Sequence, residues 1–217
     1  MQVNRLAFLV VTSALLGCGG GGSDDGGTTG PPPPPGNQHT LGSISTNVTT
    51  INIGAGNTQT ITVSAFDTQN AVIANPGTPT FTVAQAAIAE VDGQGVVLAL
   101  SQGVTAVNVS LTMGAVTKTA TVSVSVSGTL PSDASVIASS GDYVFTPKNV
   151  AILRGGSVTW TFGALEHTVT FTNTSGAPAS ISTGGYSTAV SRTFGSAGNF
   201  AYTCTIHAGM SGQVVVR

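Results

Sequence analysis

The sequence of 217 residues carries very little charge: lysine and arginine together number six, and charged residues make up 6% of the chain. A surface that binds nucleic acid needs clustered basic side chains to neutralise phosphates. Six cations in a chain with a formal net charge of −2 provide no such cluster. The composition therefore argues against nucleic acid as a partner.

Cysteine is also scarce, with only Cys18 and Cys204 in the chain. The two thiols are able in principle to form one disulfide, but a single pair in a chain of this length does not indicate a disulfide-stabilised scaffold. Each cysteine stands in a separate motif that explains it better.

The sequence also lacks helical periodicity. No stretch beyond the N-terminal segment repeats its apolar residues with the period of a helix. Instead Gly, Ser, Thr, Val and Ala dominate, and Val and Thr alternate repeatedly. This alternation, interrupted by polar turns, is typical of β-strands. We predict an all-β protein.

The first residues have the pattern of an export signal. One positive charge at Arg5 precedes an apolar run over residues 6–16, which is too short to span a bilayer. The run ends in a Leu-Leu-Gly-Cys motif at residues 15–18, which resembles the lipobox of bacterial lipoproteins. The resemblance implies that residues 1–17 are a signal peptide and that a lipid on Cys18 anchors the protein without spanning the membrane. An ordinary signal peptide with a chance cysteine is the alternative.

Residues 18–39 have the composition of a tether. Glycine dominates, and residues 31–35 are five consecutive prolines. Such a segment does not bury a core, and its Pro-rich part extends by about 3 Å per residue, which would hold folded domains some tens of Å from the lipid. Gly19, and not Asp, follows the cysteine. By resemblance to Gram-negative lipoproteins this implies the outer membrane, on its periplasmic or its cell-surface side.

Residues 40–127 show short strands separated by turn formers, the pattern of a sandwich. Alternation is clearest over residues 60–66, 105–111 and 119–126, and turns are predicted at 75–77 and 92–95. The segments 81–83, 88–97 and 103–107 resemble bacterial Ig-like domains of group 2. The region contains no histidine, cysteine or carboxylate pair, so we predict a spacer, with a binding or adhesive role as the alternative.

A short segment near the C-terminus concentrates metal-binding side chains. Cys204, His207 and Met210 offer a thiolate, an imidazole and a thioether, and these soft or borderline donors select copper over calcium or magnesium. A trigonal site of two His and one Cys with a weak axial Met needs a second imidazole, which His167 supplies. Zinc is chemically possible, but the thioether favours copper.

Strand parity places two of these side chains on inward faces. Because side chains alternate along a strand, Phe200, Tyr202 and Cys204 share one face, and two of them are aromatics suited to a core. His167 and Val169 likewise share a face. We therefore expect His167 and Cys204 to lie at strand ends that meet at one pole of a sandwich.

The surrounding sequence resembles a small cupredoxin over residues 134–217. The resemblance rests on Phe-Thr-Pro at 145–147, Gly-Ser-Val-Thr-Trp at 156–160, His-Thr-Val at 167–169 and Gly-Asn-Phe-Ala-Tyr-Thr-Cys at 198–204. The Cys-x-x-His-x-x-Met spacing is similar to that of amicyanin and pseudoazurin more than to that of plastocyanin. Together with the Ig-like resemblance of residues 40–127, the cupredoxin resemblance implies an Ig-like β-sandwich followed by a Greek-key cupredoxin β-sandwich. The cupredoxin resemblance also implies one type 1 copper ion with His167, Cys204 and His207 as equatorial ligands and Met210 as the axial ligand.

Two positions depart from the family pattern. Thr168 stands where many cupredoxins have an Asn that bonds across to the ligand loop, and its hydroxyl would replace part of that contact, with Thr205 as the partner. Ile206 stands where many have Pro. Both changes alter the groups around the ligands, which tune the metal, so the family pattern does not predict the redox potential of this site.

The histidine count limits the copper chemistry. Of the three histidines, two are assigned to the copper and His39 lies at the end of the tether, which leaves none for a type 2 or trinuclear centre. No second cysteine lies nearby for a binuclear centre, and Cys204 with His207 lacks the third group of a nucleophilic site. We therefore predict that the protein is not an enzyme and carries single electrons between Cu(I) and Cu(II).

The family resemblance also implies a place for the redox partner. It implies that the ring edge of His207 is near the surface and is the electron port. Ile206, Ala208 and Gly209 would give a small apolar patch there on which a redox protein docks. A periplasmic copper-holding or delivery protein and a structural or adhesive surface lipoprotein are the alternative functions.

Overall fold

The structure is a computed structural model and describes residues 39–172, 175–184 and 188–217. The predicted signal peptide, the predicted lipid site Cys18 and the tether up to residue 38 lie outside these residues. Every regular element within them is a β-strand, which confirms the all-β prediction. No helix in the described part of the chain has the length and apolarity needed to cross a bilayer.

Nine strands form the first module, residues 41–127. They are β1 (Leu41–Thr46), β2 (Thr50–Gly54), β3 (Thr58–Thr60), β4 (Val63–Asp67), β5 (Thr80–Val83), β6 (Ala89–Val91), β7 (Val96–Ala99), β8 (Gly103–Met113) and β9 (Val116–Ser127). Two sheets have the strand orders β2-β9-β8-β5 and β3-β7-β6, and β1 pairs with β4. The main core takes fully buried residues from both sheets, such as Val97 of β7 and Val122 of β9.

The stretch 60–66, predicted as one strand, is divided between two. β3 ends at Thr60 and pairs with β7, whereas β4 begins at Val63 and pairs with β1. The two residues between them donate their backbone N–H groups to Gly95 and Asn47. Alternation does not reveal this break, because the side chains keep alternating while the chain passes from one partner strand to another.

Nine further strands, counted over the described residues between 133 and 216, form the second module. They are β10 (Asp133–Ala138), β11 (Phe145–Thr146), β12 (Asn149–Ile152), β13 (Ser157–Phe162), β14 (His167–Phe171), β15 (Ile181–Gly184), β16 (Ala189–Thr193), β17 (Gly198–Thr203) and β18 (Ser211–Val216). They form two sheets, with the orders β11-β10-β13-β16 and β12-β18-β17-β14-β15. β10 runs parallel to β13, and β12 runs parallel to β18.

Aromatic side chains fill the core of the second module. Trp160 meets Tyr202 edge to face, with ring centroids 5.4 Å apart, and Phe145 meets the same Tyr202 at 4.9 Å. All three are buried. Because edge-to-face pairs add about 0.5–1.5 kcal/mol beyond the burial of their area, this cluster stiffens β17 just before Cys204.

A buried apolar contact joins the two modules. In β7, Val97 and Ala99 enter the core of the first module, whereas Leu98 and the following Leu100 belong to a separate cluster. That cluster, here called the inter-module cluster, consists of Leu98, Leu100, Leu130, Ala151 and Val215. Residues 128–132 connect the two modules, and Leu130 among them contributes a buried side chain to this contact.

Polar contacts surround this inter-module cluster. A guanidinium nitrogen of Arg217 lies 2.9 Å from a carboxylate oxygen of Glu90, and Lys148 donates a hydrogen bond to Gln94 at 3.0 Å. Ion pairs that are partly exposed contribute only about 0–1 kcal/mol each. The inter-module cluster therefore supplies most of the attachment.

Three connections meet at one end of the second module. They are residues 139–144, 163–166 and 204–210. The backbone N–H of Leu165 donates to Ser140 Oγ at 3.4 Å, and Tyr143 stacks on His207, so the three connections lie together. This end is named the ligand pole, and residues 204–210 are named the ligand loop.

Candidate metal centre

His167 is placed by β14. It is the first residue of that strand and is completely buried. Val169, two residues on, is also completely buried, which confirms that the two side chains share an inward face. Nε2 of His167 is buried without a hydrogen bond to any described residue, and Nδ1 is the ring atom that faces the other candidate ligands.

Cys204 follows directly after β17 and is 5% exposed. Phe200 and Tyr202, on the same face, are completely buried, so the parity prediction for this strand is confirmed. Cys204 donates its backbone N–H to the carbonyl of Met210 at 2.9 Å, and Met210 donates to the carbonyl of His207 at 3.3 Å. These bonds close the ligand loop on itself and hold its side chains over the pole.

The donor atoms of three predicted ligands converge. Nδ1 of His207 lies 3.1 Å from Nδ1 of His167 and 3.5 Å from Sγ of Cys204, and the Sγ of Cys204 lies 4.0 Å from Nδ1 of His167. Bonds of about 2.0–2.3 Å from one metal ion to nitrogen and sulfur, at angles near 120°, separate the donors by roughly 3.5–3.8 Å. The measured separations bracket this range, so the three side chains fit a shared metal ion.

Met210 ends the ligand loop and is 2% exposed. It belongs to the same buried cluster as Cys204. Two imidazoles, a thiolate and a thioether are the donor set of a type 1 copper site. His167, Cys204, His207 and Met210 therefore form a type 1 copper-like site, and the cofactor it suits is one copper ion.

Burial makes His167 a good ligand. The loss of solvation, followed by the charge on neighbouring His207, lowers the pKa of His167 below its ordinary value. Burial disfavours the charged imidazolium, because a charge in an apolar environment loses its hydration. His167 is therefore neutral at neutral pH, the form in which an imidazole binds a metal.

Thr168 supports the site from the opposite face of β14. Its backbone N–H donates to the Cys204 sulfur at 3.5 Å. Its Oγ1 accepts a hydrogen bond from the backbone N–H of Thr205 at 2.8 Å and lies 3.0 Å from the Thr205 hydroxyl. The predicted pairing of these two threonines is confirmed. It explains why Thr168 is buried even though it faces away from the core.

Tyr143 is a residue of the site that the sequence did not indicate. Residues 142–147 are rich in the aromatic and β-branched residues typical of strands, but β11 begins only at Phe145, and Tyr143 lies in the preceding loop with φ of +51°. Its ring stacks on His207 with centroids 4.5 Å apart. No local motif signals this contact, because it joins a turn to a loop more than sixty residues away in sequence.

His39 is engaged elsewhere. Its Nδ1 lies 2.7 Å from a carboxylate oxygen of Asp67, the last residue of β4 in the first module. The third histidine of the chain is therefore paired with a carboxylate outside the copper-like site.

Comparison with known proteins gives a family match for the second module. Residues 132–217 match the family of copper-binding proteins described as the plastocyanin/azurin family. A search of curated proteins gives no significant match.

Solved structures of copper proteins are similar to part of the chain. A purple cupredoxin from Nitrosopumilus maritimus is 23% identical with a TM-score of 0.35, over 39% of this chain and 100% of that chain. A reduced amicyanin variant is 28% identical with a TM-score of 0.36, over 39% of this chain and 82% of that chain. A copper-containing nitrite reductase from Thermus scotoductus SA-01 is 22% identical with a TM-score of 0.36, over 50% of this chain and 25% of that chain.

Proposed function

We propose that this protein, whose residues 132–217 are a cupredoxin domain, is a membrane-tethered type 1 copper protein that carries single electrons between partner proteins. The observation that carries the proposal is the convergence of one thiolate and two imidazole nitrogens at a buried strand end. Bound copper supplies the one-electron Cu(I)/Cu(II) couple.

The chain contributes stiffness around these donors. His167 begins β14 and Cys204 directly follows β17, and these two strands are hydrogen-bonded neighbours through Phe171 and Tyr202. The bond from Thr168 to Thr205 ties the ligand loop to β14. Donors that stay in place in both oxidation states keep the rearrangement on electron transfer small, which favours a carrier.

We propose that a redox protein docks on the ligand pole beside His207. The predicted patch residues Ile206, Ala208 and Gly209 are all exposed. Tyr143 and Leu165 are also exposed apolar residues of this pole. Small, mostly apolar contacts suit complexes that must dissociate after each transfer, and such weak redox interfaces bury less than about 1,200 Å² in total.

We propose that the protein is an electron carrier and not an enzyme, because of the number and placement of its histidines. His167 and His207 belong to the copper-like site, and His39 is bonded to Asp67 in the first module. The chain has three histidines in all. A catalytic copper centre of the type 2 or trinuclear kind needs further imidazoles, which this chain by itself does not offer.

The membrane anchor and the division into domains remain proposals from the sequence. They comprise a signal peptide at 1–17, a lipid on Cys18, a tether at 18–39, an Ig-like spacer at 40–127 and the copper domain from 134 to 217. We propose attachment to the outer membrane, on its periplasmic or cell-surface side, from the resemblance to Gram-negative lipoproteins, because Gly19 and not Asp follows the cysteine.

Voltammetry of the copper-loaded protein tests the proposed function. A carrier gives a reversible one-electron wave and exchanges that electron with ferricyanide without losing copper. A delivery protein instead transfers its copper to a Cu(I) chelator on mixing. A structural or adhesive role predicts that cell adhesion survives Cys204→Ser, a change that abolishes the wave of a carrier.

A further inference from the structure

Tyr143 lies face to face with His207 at the ligand pole. The ring centroids are 4.5 Å apart and the planes are inclined by 27°, which is the geometry of an offset stacked pair. Tyr143 is still 46% exposed. Its ring therefore covers the imidazole on one side and meets solvent on the other.

The backbone at Tyr143 indicates that the side chain has a purpose beyond the turn. Its φ of +51° lies in the left-handed region, which bulky residues rarely adopt and glycine adopts freely. The turn itself closes through a backbone hydrogen bond from Ser139 to Val144 at 2.9 Å, and that bond does not require a tyrosine. The contact with His207 is what a tyrosine adds at this position.

Among the three predicted nitrogen and thiolate ligands, His207 is the one that the strands of the sandwich constrain least. His167 is completely buried and Cys204 is 5% exposed, and both are adjacent to or within strands. His207 instead lies in the middle of the ligand loop and is partly exposed. Because no strand restricts its imidazole, only neighbouring side chains limit the rotation of the ring. The Tyr143 ring lies against one face of it.

We propose that Tyr143 is a positioning residue for electron transfer, whose stacked ring fixes the orientation of the His207 imidazole. This inference rests on the proposed copper function. When one electron passes from a reduced molecule to an oxidised one, an imidazole that is held in place rearranges little. Without the stack, the imidazole gains rotational freedom and each transfer requires a larger rearrangement.

Two substitutions in the full chain separate the ring from the turn. Tyr143→Phe keeps the stacked ring and removes the hydroxyl. Tyr143→Gly removes the ring and at the same time relieves the left-handed backbone, so this variant folds. Leu153→Ala is the matched control, because Leu153 is also exposed and apolar but lies in the turn before β13, at the other end of that strand from the ligand pole.

The first readout uses the metal-free protein. In NMR spectra, we expect the His207 ring protons of the original protein and of Tyr143→Phe to show contacts to the stacked ring and a shift from its ring current. In Tyr143→Gly, the contacts and the ring-current shift both disappear, and the His207 resonances average over several ring orientations. This readout tests the orientation of His207 independently of copper chemistry.

The second readout is the rate of electron self-exchange, measured from NMR line widths in mixtures of reduced and oxidised copper-loaded protein. We expect Tyr143→Phe and Leu153→Ala to stay within about two-fold of the original rate and Tyr143→Gly to be about ten-fold slower.

An unchanged rate and unchanged His207 resonances in Tyr143→Gly would overturn the proposal. So would a Tyr143→Phe variant as slow as Tyr143→Gly, because the hydroxyl would then be responsible. Absence of a reversible wave in the original protein would contradict the copper function instead.

Discussion

Thr168 Oγ1 accepts a hydrogen bond from the backbone N–H of Thr205 at 2.8 Å, and this bond ties β14 to the ligand loop. One ligand precedes each partner in sequence, since His167 comes before Thr168 and Cys204 comes before Thr205. The bond therefore sets the spacing between the two strand ends that carry the buried ligands.

Thr168→Val tests this tie, because it removes the hydroxyl and keeps the shape of the side chain. Thr205 is exposed, so water partly replaces the lost partner, and we expect the free energy of unfolding of the metal-free protein to fall by about 0.5–1.5 kcal/mol. Thr168→Ser retains the hydroxyl and should restore most of that loss. Denaturant unfolding of the three proteins measures it, and equal stability of Thr168→Val and the original protein would show that the bond contributes nothing.

Much of the copper-like site was predictable because the physics is local. Alternation along one strand places Phe200, Tyr202 and Cys204 on the same side, and the structure buries all three. The pairing of Thr168 with Thr205 was predicted from the family resemblance, because many cupredoxins have at the position of Thr168 an Asn that bonds across to the ligand loop.

The contacts between distant segments were not predictable. The stack of Tyr143 on His207 joins two loops whose approach depends on the whole sandwich. Leu98 and Val215 lie in valine- and leucine-rich runs, and such a run does not show which side chains enter the module's own core and which meet the other module. Both contacts depend on the tertiary arrangement, which alternation of side chains does not encode.

The inter-module cluster predicts that the two modules unfold together. Leu100 is 2% exposed in this cluster, and Leu100→Ala should lower the free energy of unfolding by about 2–5 kcal/mol. Trp160, the only tryptophan, lies in the core of the second module, so its fluorescence reports on that module while the substitution lies outside it.

Val104→Ala is the control for that experiment. Val104 is an apolar residue of the first module that is 62% exposed, so its truncation should change stability by less than about 0.5 kcal/mol. If Leu100→Ala leaves the Trp160 transition where it is in the original protein, the two modules unfold independently and the prediction is wrong.

The lowered pKa of Asp67 predicts that the stability of the folded protein depends on pH. A hydrogen bond from His39, together with backbone N–H donors from Ala71 and Gln69, holds the pKa of the Asp67 carboxyl below its ordinary value of 3.8, although burial opposes this. Because the pKa is lower in the folded state, the charged carboxylate contributes stability above the ordinary value. This contribution is lost as the pH falls through the folded-state pKa.

His39→Ala removes the largest cause of that shift. We expect the pKa of Asp67 to rise towards its ordinary value and acid unfolding to begin at a higher pH. A carbon-13 NMR titration of the side-chain carboxyl groups measures the change. If Asp67 titrates at the same pH in both proteins, the contact with His39 does not control it.

Cys18→Ala tests the proposed anchor in cells. The variant has no sulfur to carry the lipid, so we expect it to move from the membrane fraction to the soluble fraction after export. Cys204→Ser is the matched control, because it removes the other cysteine and should stay with the membrane. A Cys18→Ala protein that remains in washed membranes would refute the lipid anchor.

The absorption spectrum of the copper-loaded protein tests the type 1 site most directly. A single copper ion held by the Cys204 thiolate, His167 and His207 should give an intense visible band that saturates at one copper per chain, and Cys204→Ser should abolish the band while the protein remains a folded β-structure. A copper-loaded protein without that band, or a Cys204→Ser variant that keeps it, would contradict the site.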